Sequence, residues 1–221
     1  DVVEDINRLG GFAIAAHVDS AKRSLTWRAW DVGLTGFEWL NADSQWRDES
    51  RWSLVGLLLP YAIRPAGALA TMLDRPEAAL ARWDDLTRGR RLVTVAAADA
   101  HARMGGVDED DARWWRRLSL PLPGYASLFR TFSISLSGVV FSGRPAEDAE
   151  DVLSAIRLGH TFTVVDALAG PARLDFVATS GLNVATGGDG LPLAGPVRVQ
   201  ARIPGPPDAR IALIRNGVRV V

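Results

Sequence analysis

Apolar residues in the first 101 positions follow two spacings, one typical of helices and one typical of buried strands. Four apolar residues at helical spacing in residues 2–9 are followed by Gly10 and Gly11, which predicts a helix that ends there. Short continuous apolar runs, typical of strands buried on both faces, occupy residues 12–17, 36–41 and 91–101. Further helices are predicted at residues 24–33, 48–59 and 65–73 and between Pro76 and Gly89. This alternation favours parallel β/α architecture, either a barrel or a doubly wound sheet.

The pattern changes after residue 102. A long charged stretch with prolines is typical of a loop over an active-site mouth or of a subunit contact, and it is followed by an alternating strand (130–141) and a helix (145–159). From His160 onward, short apolar strands separated by Gly and Pro predict a small antiparallel β-sandwich. We therefore expect three regions: a β/α portion at 1–128, a connecting strand and helix at 129–159, and the β-sandwich at 160–221.

Composition excludes several classes of protein. Hydrophobic residues make up 48% of the chain and charged residues 23%, which argues against disorder. The net charge of −1 argues against nucleic acid or an anionic membrane as the main partner. The absence of cysteine excludes disulfides, thiolate metal sites and a cysteine nucleophile. It also fits a reducing cytoplasm, the predicted location.

The termini and the apolar runs bear on targeting. No apolar run reaches the roughly 18 to 20 residues of a membrane span, and no signal peptide is visible. The chain begins at Asp1, within an amphipathic pattern. We therefore expect an N-terminal portion to be missing from this sequence, and the oligomeric state is left open.

Candidate metal ligands follow or occupy the apolar runs. In "VTVAAADAHARMGG" (94–107), Asp99 and His101 stand two positions apart. If the strand continues to residue 101, their side chains project to the same side, at the strand end where ligands gather in parallel β/α folds. His17 ends its own apolar run, and Glu38 is a charge within another. Imidazole and carboxylate groups that converge in this way suit zinc, manganese or iron.

Each candidate also has a structural interpretation. His17 is then a hydrogen-bonded loop residue, Asp99 caps a loop, and Glu38 pairs with Arg28 or Arg47. His160, which opens a strand, is interpreted as structural.

Arginines near the candidate ligands also have two interpretations. Arg103 either grips an anionic oxygen with its guanidinium or is a solvated loop residue. The segment "RWWRR" (113–117) mixes arginine and aromatic residues as single-strand binders do, but the neutral overall charge favours an interface or lid.

Three motifs resemble the PHP family, the polymerase and histidinol phosphatase superfamily. The segments "GGFAIAAHVDS", "GLTGFEWLN" and "VTVAAADAHAR" are similar, in order, to the family's Ala-His-Pro, Gly-Ile-Glu-x-x-Asn and Asp-x-His motifs. The resemblance covers residues 1 to about 105 and implies a distorted (β/α)7 barrel, present in part and followed by a β-sandwich. It also implies divalent zinc, manganese or iron at the barrel mouth, held here by His17, Asp99 and His101, with Glu38 at a site-adjacent position.

Two departures from the family are visible. Val18 replaces the motif proline, and the family's opening His-x-His is absent. The candidate ligands present would hold one metal ion, and more than one would require the missing N-terminal part.

The resemblance implies hydrolysis of a small phosphorylated substrate by metal-activated water, with Asp99 and His101 as ligands and Arg103 stabilising charge on the phosphoryl group. A different class of function also remains open. In it the chain is a non-catalytic, degenerate PHP scaffold whose β-sandwich binds a glycan or a protein. A metal-dependent amidohydrolase is a third alternative, which this sequence separates poorly from the first.

Overall fold

The structure, a computed structural model, describes residues 2–99, 103–104, 120–121, 132–168, 173–204 and 209–221. The helices are α1 (Val2–Arg8), α2 (Ala42–Asp48), α3 (Arg51–Ile63), α4 (Pro65–Ala70), α5 (Glu77–Leu86) and α6 (Pro145–Leu158). The first strands are β1 (Ile14–Ala15), β2 (Gly36–Asn41), β3 (Val93–Ala97), β4 (Arg103–Met104), β5 (Leu120–Pro121) and β6 (Ser133–Leu136). The remaining strands are β7 (Thr161–Val164), β8 (Asp175–Ser180), β9 (Asn183–Thr186), β10 (Val197–Arg202), β11 (Ile214–Arg215) and β12 (Val218–Arg219).

A three-stranded parallel sheet organises the first hundred residues. Its order is β1-β2-β3, with Ile14 opposite Gly36 and Gly36 opposite Val93. Helices α2 to α5 form the crossover between β2 and β3, as parallel pairing requires. The parallel strands end at the same edge of the sheet, where β1 leads to His17 and β3 leads to Asp99.

One hydrophobic cluster packs against this sheet. Phe37 of β2 is fully buried and packs edge-on against Trp30, with ring centroids 5.4 Å apart and an interplanar angle of 84°, a favoured aromatic geometry. Other members of this cluster are Val3, Ala15, Val18, Leu34, Ala79 and Leu92. Helix α1, the sheet and α5 thus share one hydrophobic core.

The second half of the chain consists of small antiparallel sheets. Strands β6 and β7 pair with each other, β8 lies between β10 and β9, and β11 pairs with β12. Helix α6 begins with Pro145 at its first turn and ends at Gly159, which has a positive φ of 70°, as is common for helix C-caps. Trp39 Nε1 donates a 3.3 Å hydrogen bond to Thr163 Oγ1, which joins β7 to the parallel sheet.

The prediction of a distorted (β/α)7 barrel followed by a β-sandwich is wrong for the described part of the chain. The parallel sheet has three strands, too few to close, and the sheets beyond it are small and antiparallel. Val197 to Gln200 of β10 are exposed on both faces of the strand, whereas a sandwich buries one face. The chain has a mixed α/β content instead.

Two local predictions also require correction. The helix predicted at 24–33 is a series of turns and bends. Strand β3 ends at Ala97, and Asp99 adopts a left-handed backbone with φ of 45°. The expected continuation of this strand through Asp99 is therefore wrong, and His101, the other residue of the predicted pair, lies outside the described residues.

Candidate metal-binding and catalytic site

Residues from all three parallel strands or their following loops lie at one edge of the sheet, where His17 takes part through its backbone N–H and Glu38, Asn41 and Asp99 through their side chains. His17 follows β1 by two residues, Glu38 and Asn41 belong to β2, and Asp99 follows β3 by two residues. Hydrogen bonds connect these four residues in a continuous chain. Three of the predicted site residues are thus brought together where open parallel sheets commonly bind ligands.

A β-bulge explains how β2 contributes two side chains to this edge. The register against β3 shifts between Glu38 and Leu40, so Trp39 is the extra residue. In a regular strand, residues three positions apart point to opposite faces, but the bulge changes this alternation. As a result, Asn41 Nδ2 donates a 2.8 Å hydrogen bond to Glu38 Oε2.

Asn41 connects the two acidic residues of the site. Its Nδ2 also donates a 3.3 Å hydrogen bond to Asp99 Oδ2, while its Oδ1 accepts a 2.9 Å hydrogen bond from Ser44 N. The hydrogen bond from Ser44 N caps the start of α2. Asn41 is 5% exposed, so the protein fixes a buried amide between two carboxylates and holds them close to one another.

His17 is held through its backbone as well as its imidazole. Its φ of 36° is unusual for a residue other than glycine, and its backbone N–H donates a 2.7 Å hydrogen bond to Glu38 Oε2. The imidazole Nδ1 lies 3.0 Å from the carbonyl oxygen of Leu25. Because that oxygen can only accept, Nδ1 is the donor, which leaves Nε2 as the nitrogen that can bind a ligand. This arrangement is typical of histidines that bind a metal.

The hydrogen bonds of Glu38 bear on whether it pairs with an arginine, as its structural interpretation expects. Its carboxylate accepts hydrogen bonds from the N–H groups of His17 and Asn41. Within the described residues no ion pair joins Glu38 to Arg28, and the side chain of Arg47 lies outside the description. Of the two arginine partners offered by the structural interpretation, Arg28 is thus not paired with Glu38 in the described part of the chain.

A small cavity of about 100 Å³ opens beside this cluster. Its walls include His17, Asp19, Glu38, Asn41, Ser44 and Gln45. Burial raises the pKa of the Asp19 carboxyl above its usual range, while a hydrogen bond from the Ala79 backbone and the charge of Arg82 act in the opposite direction. The cavity is thus lined by carboxyl and amide groups and by the imidazole of the candidate site.

The donor set fits a divalent cation only in part. Carboxylate oxygens and an imidazole are ligands for zinc, manganese and iron, and two neighbouring carboxylates attract positive charge. Within the part of the chain that the structure describes, however, no group of three or more His, Asp or Glu side chains is arranged to hold a metal ion. His101 and the side chain of Arg103 lie outside the description. The backbone of Arg103 pairs with that of Pro121.

Sequence reasoning missed the central residue of the cluster. Asn41 is the last residue of "GFEWLN", and its spacing from Glu38 is three. That Glu-x-x-Asn spacing was the available signal, but only a bulge at Trp39 makes it meaningful, and a bulge leaves no clear mark in a single sequence.

Comparison with known proteins yields no relative. No protein-family model, no curated protein and no solved structure matches this chain. Among the described helices, none is long and apolar enough to cross a membrane.

Proposed function

We propose that this chain is a metal-dependent phosphoesterase whose site is built around His17, Glu38 and Asp99, with His101 as a further ligand. The observation that carries this proposal is the amide of Asn41, which holds the carboxylates of Glu38 and Asp99 together at the end of the parallel sheet. The order of the three sequence motifs adds support, since each supplies one member of this cluster.

The described residues have distinct roles in this proposal. Asn41 donates to the carboxylates of Glu38 and Asp99, and the backbone N–H of His17 donates to Glu38. Two carboxylates held close together attract a cation. The carbonyl of Leu25 orients the imidazole of His17 so that Nε2 is available as a ligand.

A divalent metal bound here would lower the pKa of a coordinated water and polarise a phosphoryl oxygen. The chain's own residues then position the substrate. Arg103, four residues beyond Asp99, is proposed to bind a phosphoryl oxygen through its forked guanidinium. The small cavity beside His17 and Glu38 offers room for the phosphoryl group.

The test combines metal content with activity. The full-length protein is purified, its zinc, manganese and iron are measured by elemental analysis, and hydrolysis of 4-nitrophenyl phosphate and bis(4-nitrophenyl) phosphate is followed with each metal. We expect bound metal in the wild type, loss of metal in His17→Ala and His101→Ala, and a fall in hydrolysis on the order of 100-fold in Asp99→Asn.

A matched control is Asp151→Asn, which makes the same chemical change on the exposed surface of α6 and should leave both readouts unchanged. Metal-free, inactive wild-type protein would contradict the proposal and favour the non-catalytic scaffold. A metal content that is the same in His17→Ala and His101→Ala as in the wild type would also contradict it.

A further inference from the structure

The loop that follows His17 has a fixed conformation, although it contains no helix or strand. Ser20 N donates a 3.0 Å hydrogen bond to the carbonyl of His17, and Leu25 N donates a 2.9 Å hydrogen bond to that of Lys22. The hydroxyl of Thr26 donates to the Ser20 carbonyl at 3.0 Å. The first half of the loop is therefore tied to the end of β1 by its own backbone.

The far end of the loop is anchored by arginines and by the core. Arg90 Nη1 and Nη2 donate 2.8 Å hydrogen bonds to the carbonyls of Val32 and Trp30. The guanidinium of Arg82 lies 5.4 Å from the ring centroid of Trp30, within the range of a cation–π contact, and the same indole packs on Phe37. Both ends of the loop are thus held, which keeps the segment between them in place.

Between these anchors the loop forms an open cleft of about 530 Å³, which we call the arginine cleft. It is lined by Arg23, Ser24, Thr26, Trp27, Arg28 and Ala29. The indole N–H of Trp27 donates a 3.0 Å hydrogen bond to the Ala29 carbonyl, so the ring is held as one wall of the cleft. The cleft therefore combines a fixed aromatic surface with two guanidinium groups.

Among the residues that the structure describes, the guanidinium groups of Arg23 and Arg28 have no protein acceptor. Within the described residues, neither Arg23 nor Arg28 forms a side-chain hydrogen bond or an ion pair, whereas Arg90 binds two backbone carbonyls. Both side chains are exposed, so they pay little desolvation cost on their own. Two unpaired guanidinium groups on a held loop are suited to bind carboxylate or phosphate oxygens.

The arginine cleft lies on the same loop as the carbonyl that contacts the imidazole of His17. Leu25, which lies between Arg23 and Arg28 in the chain, accepts the hydrogen bond from Nδ1 of His17. We infer that the arginine cleft binds a second anionic group of the substrate, a phosphate or a carboxylate, while a phosphoester is held at the site of His17, Glu38 and Asp99. The substrate role rests on the proposed function, but anion binding by the cleft does not.

Calorimetry tests anion binding without turnover. The full chain, freed of divalent metal by a chelator and dialysed, is titrated with inorganic pyrophosphate and, separately, with the tricarboxylate tricarballylate. We expect binding that weakens about tenfold in Arg23→Gln and in Arg28→Gln and that weakens with added salt. Tighter binding of one titrant identifies phosphate or carboxylate as the preferred group.

A control variant separates the cleft from general charge. Arg198→Gln removes an exposed arginine from β10 and should leave binding unchanged. Circular dichroism should show the wild-type fold in both cleft variants, because both arginines are exposed and neither has a hydrogen-bond or ion-pair partner in the described part of the chain.

Activity then tests the substrate role. With a phosphoester that carries a second anionic group, Arg28→Gln should raise KM about tenfold and leave kcat unchanged. The KM for 4-nitrophenyl phosphate, which has no second anion, should stay the same. Undetectable anion binding, or equal binding by wild type and both cleft variants, overturns the inference. Anion binding by an inactive protein would instead leave the cleft established and overturn the proposed hydrolysis.

Discussion

The backbone N–H of His17 donates a 2.7 Å hydrogen bond to Oε2 of Glu38. A carboxylate of β2 therefore holds the left-handed residue that follows β1. His17 has a φ of 36°, a backbone conformation that is costly for a residue with a Cβ. A charged acceptor stabilises such a turn more strongly than a neutral one. Glu38 of β2 thus fixes the backbone from which the imidazole of His17 extends.

Replacement of Glu38 by glutamine should therefore destabilise the fold. In Glu38→Gln the N–H groups of His17 and Asn41 keep an oxygen acceptor but lose its charge, and we expect a loss of about 1 to 2 kcal/mol in the free energy of unfolding. Urea unfolding followed by circular dichroism measures it. The control is Glu150→Gln on the exposed face of α6, expected to change stability by less than about 0.5 kcal/mol. Equal effects of both substitutions would contradict the role given to Glu38.

The bridge made by Asn41 can be separated from its capping role. Asn41→Asp preserves an oxygen that accepts from Ser44 N, and aspartate caps helices as well as asparagine does. It replaces the donor between Glu38 and Asp99 by a third carboxylate. We expect a loss of about 2 kcal/mol or more at neutral pH.

The urea midpoint of Asn41→Asp should recover part of that loss in the presence of zinc or manganese, if the carboxylates form the proposed site. Asn41→Ala serves as the comparison, since it removes both the bridge and the cap but adds no charge. If metal raises the urea midpoint of Asn41→Ala as much as that of Asn41→Asp, the added carboxylate does not face a metal.

The close approach of β2 and β3 at their first residues makes a glycine necessary at position 36. A Cβ built on Gly36 would overlap the carbonyl of Val93 on β3, to which Gly36 is register-paired. We expect Gly36→Ala to lower the free energy of unfolding by about 2 to 3 kcal/mol, as measured by denaturant unfolding.

A second glycine offers the matched control. Gly56 lies within α3, and an added Cβ there would meet nothing within 4 Å. Gly56→Ala should therefore stabilise the protein by about 0.5 to 1 kcal/mol through helix propensity. The pairing of β2 with β3 is contradicted if both substitutions have the same sign.

The spacing of apolar residues predicted helices and strands well where the local sequence signals were strong. The run at 36–41 became β2 with the same bounds, and the helix predicted at 145–159 became α6, Pro145–Leu158. Both have strong local signals: an apolar run that suits a buried strand, and a Pro at the first turn with Gly159 at the end. Such signals act within a few residues and can be read from one sequence.

Features that depend on distant contacts were not predicted. The segment at 24–33 carries helical spacing, but Trp30 packs on Phe37 and its carbonyl binds Arg90, and these contacts hold a loop. The barrel was extrapolated from three parallel strands and from the family resemblance, and no local signal determines whether a sheet closes. The bulge at Trp39 is likewise set by pairing with β3. Three of the candidate residues, His17, Glu38 and Asp99, therefore lie in one cluster, while the amide of Asn41 that joins them was missed.

The pair of His160 and Asp189 predicts how stability depends on pH. His160 Nε2 lies 2.8 Å from Asp189 Oδ1, and the backbone and hydroxyl of Thr186 donate to Oδ2 at 3.0 and 2.8 Å. The hydrogen bonds from Thr186, followed by that from His160, lower the pKa of Asp189 from 3.8 to about 2. A carboxyl whose pKa is lower in the folded state stabilises the fold above its unfolded pKa, and it loses that contribution as the pH falls through the folded value.

Asp189→Asn should therefore lower the Tm at pH 5, where the wild-type carboxylate is charged in both the folded and the unfolded state. The difference in Tm between the two proteins should shrink as the pH falls from about 4 to about 2, because the Asp189 carboxylate of the wild type becomes protonated and loses its charge. Thermal unfolding by calorimetry at pH 5, 3 and 2 measures it, and Asp151→Asn on α6 controls for the loss of one surface charge. A difference in Tm that stays constant over this range would mean that Asp189 stabilises the hairpin of β8 and β9 by shape and neutral hydrogen bonds, and that its charge contributes nothing.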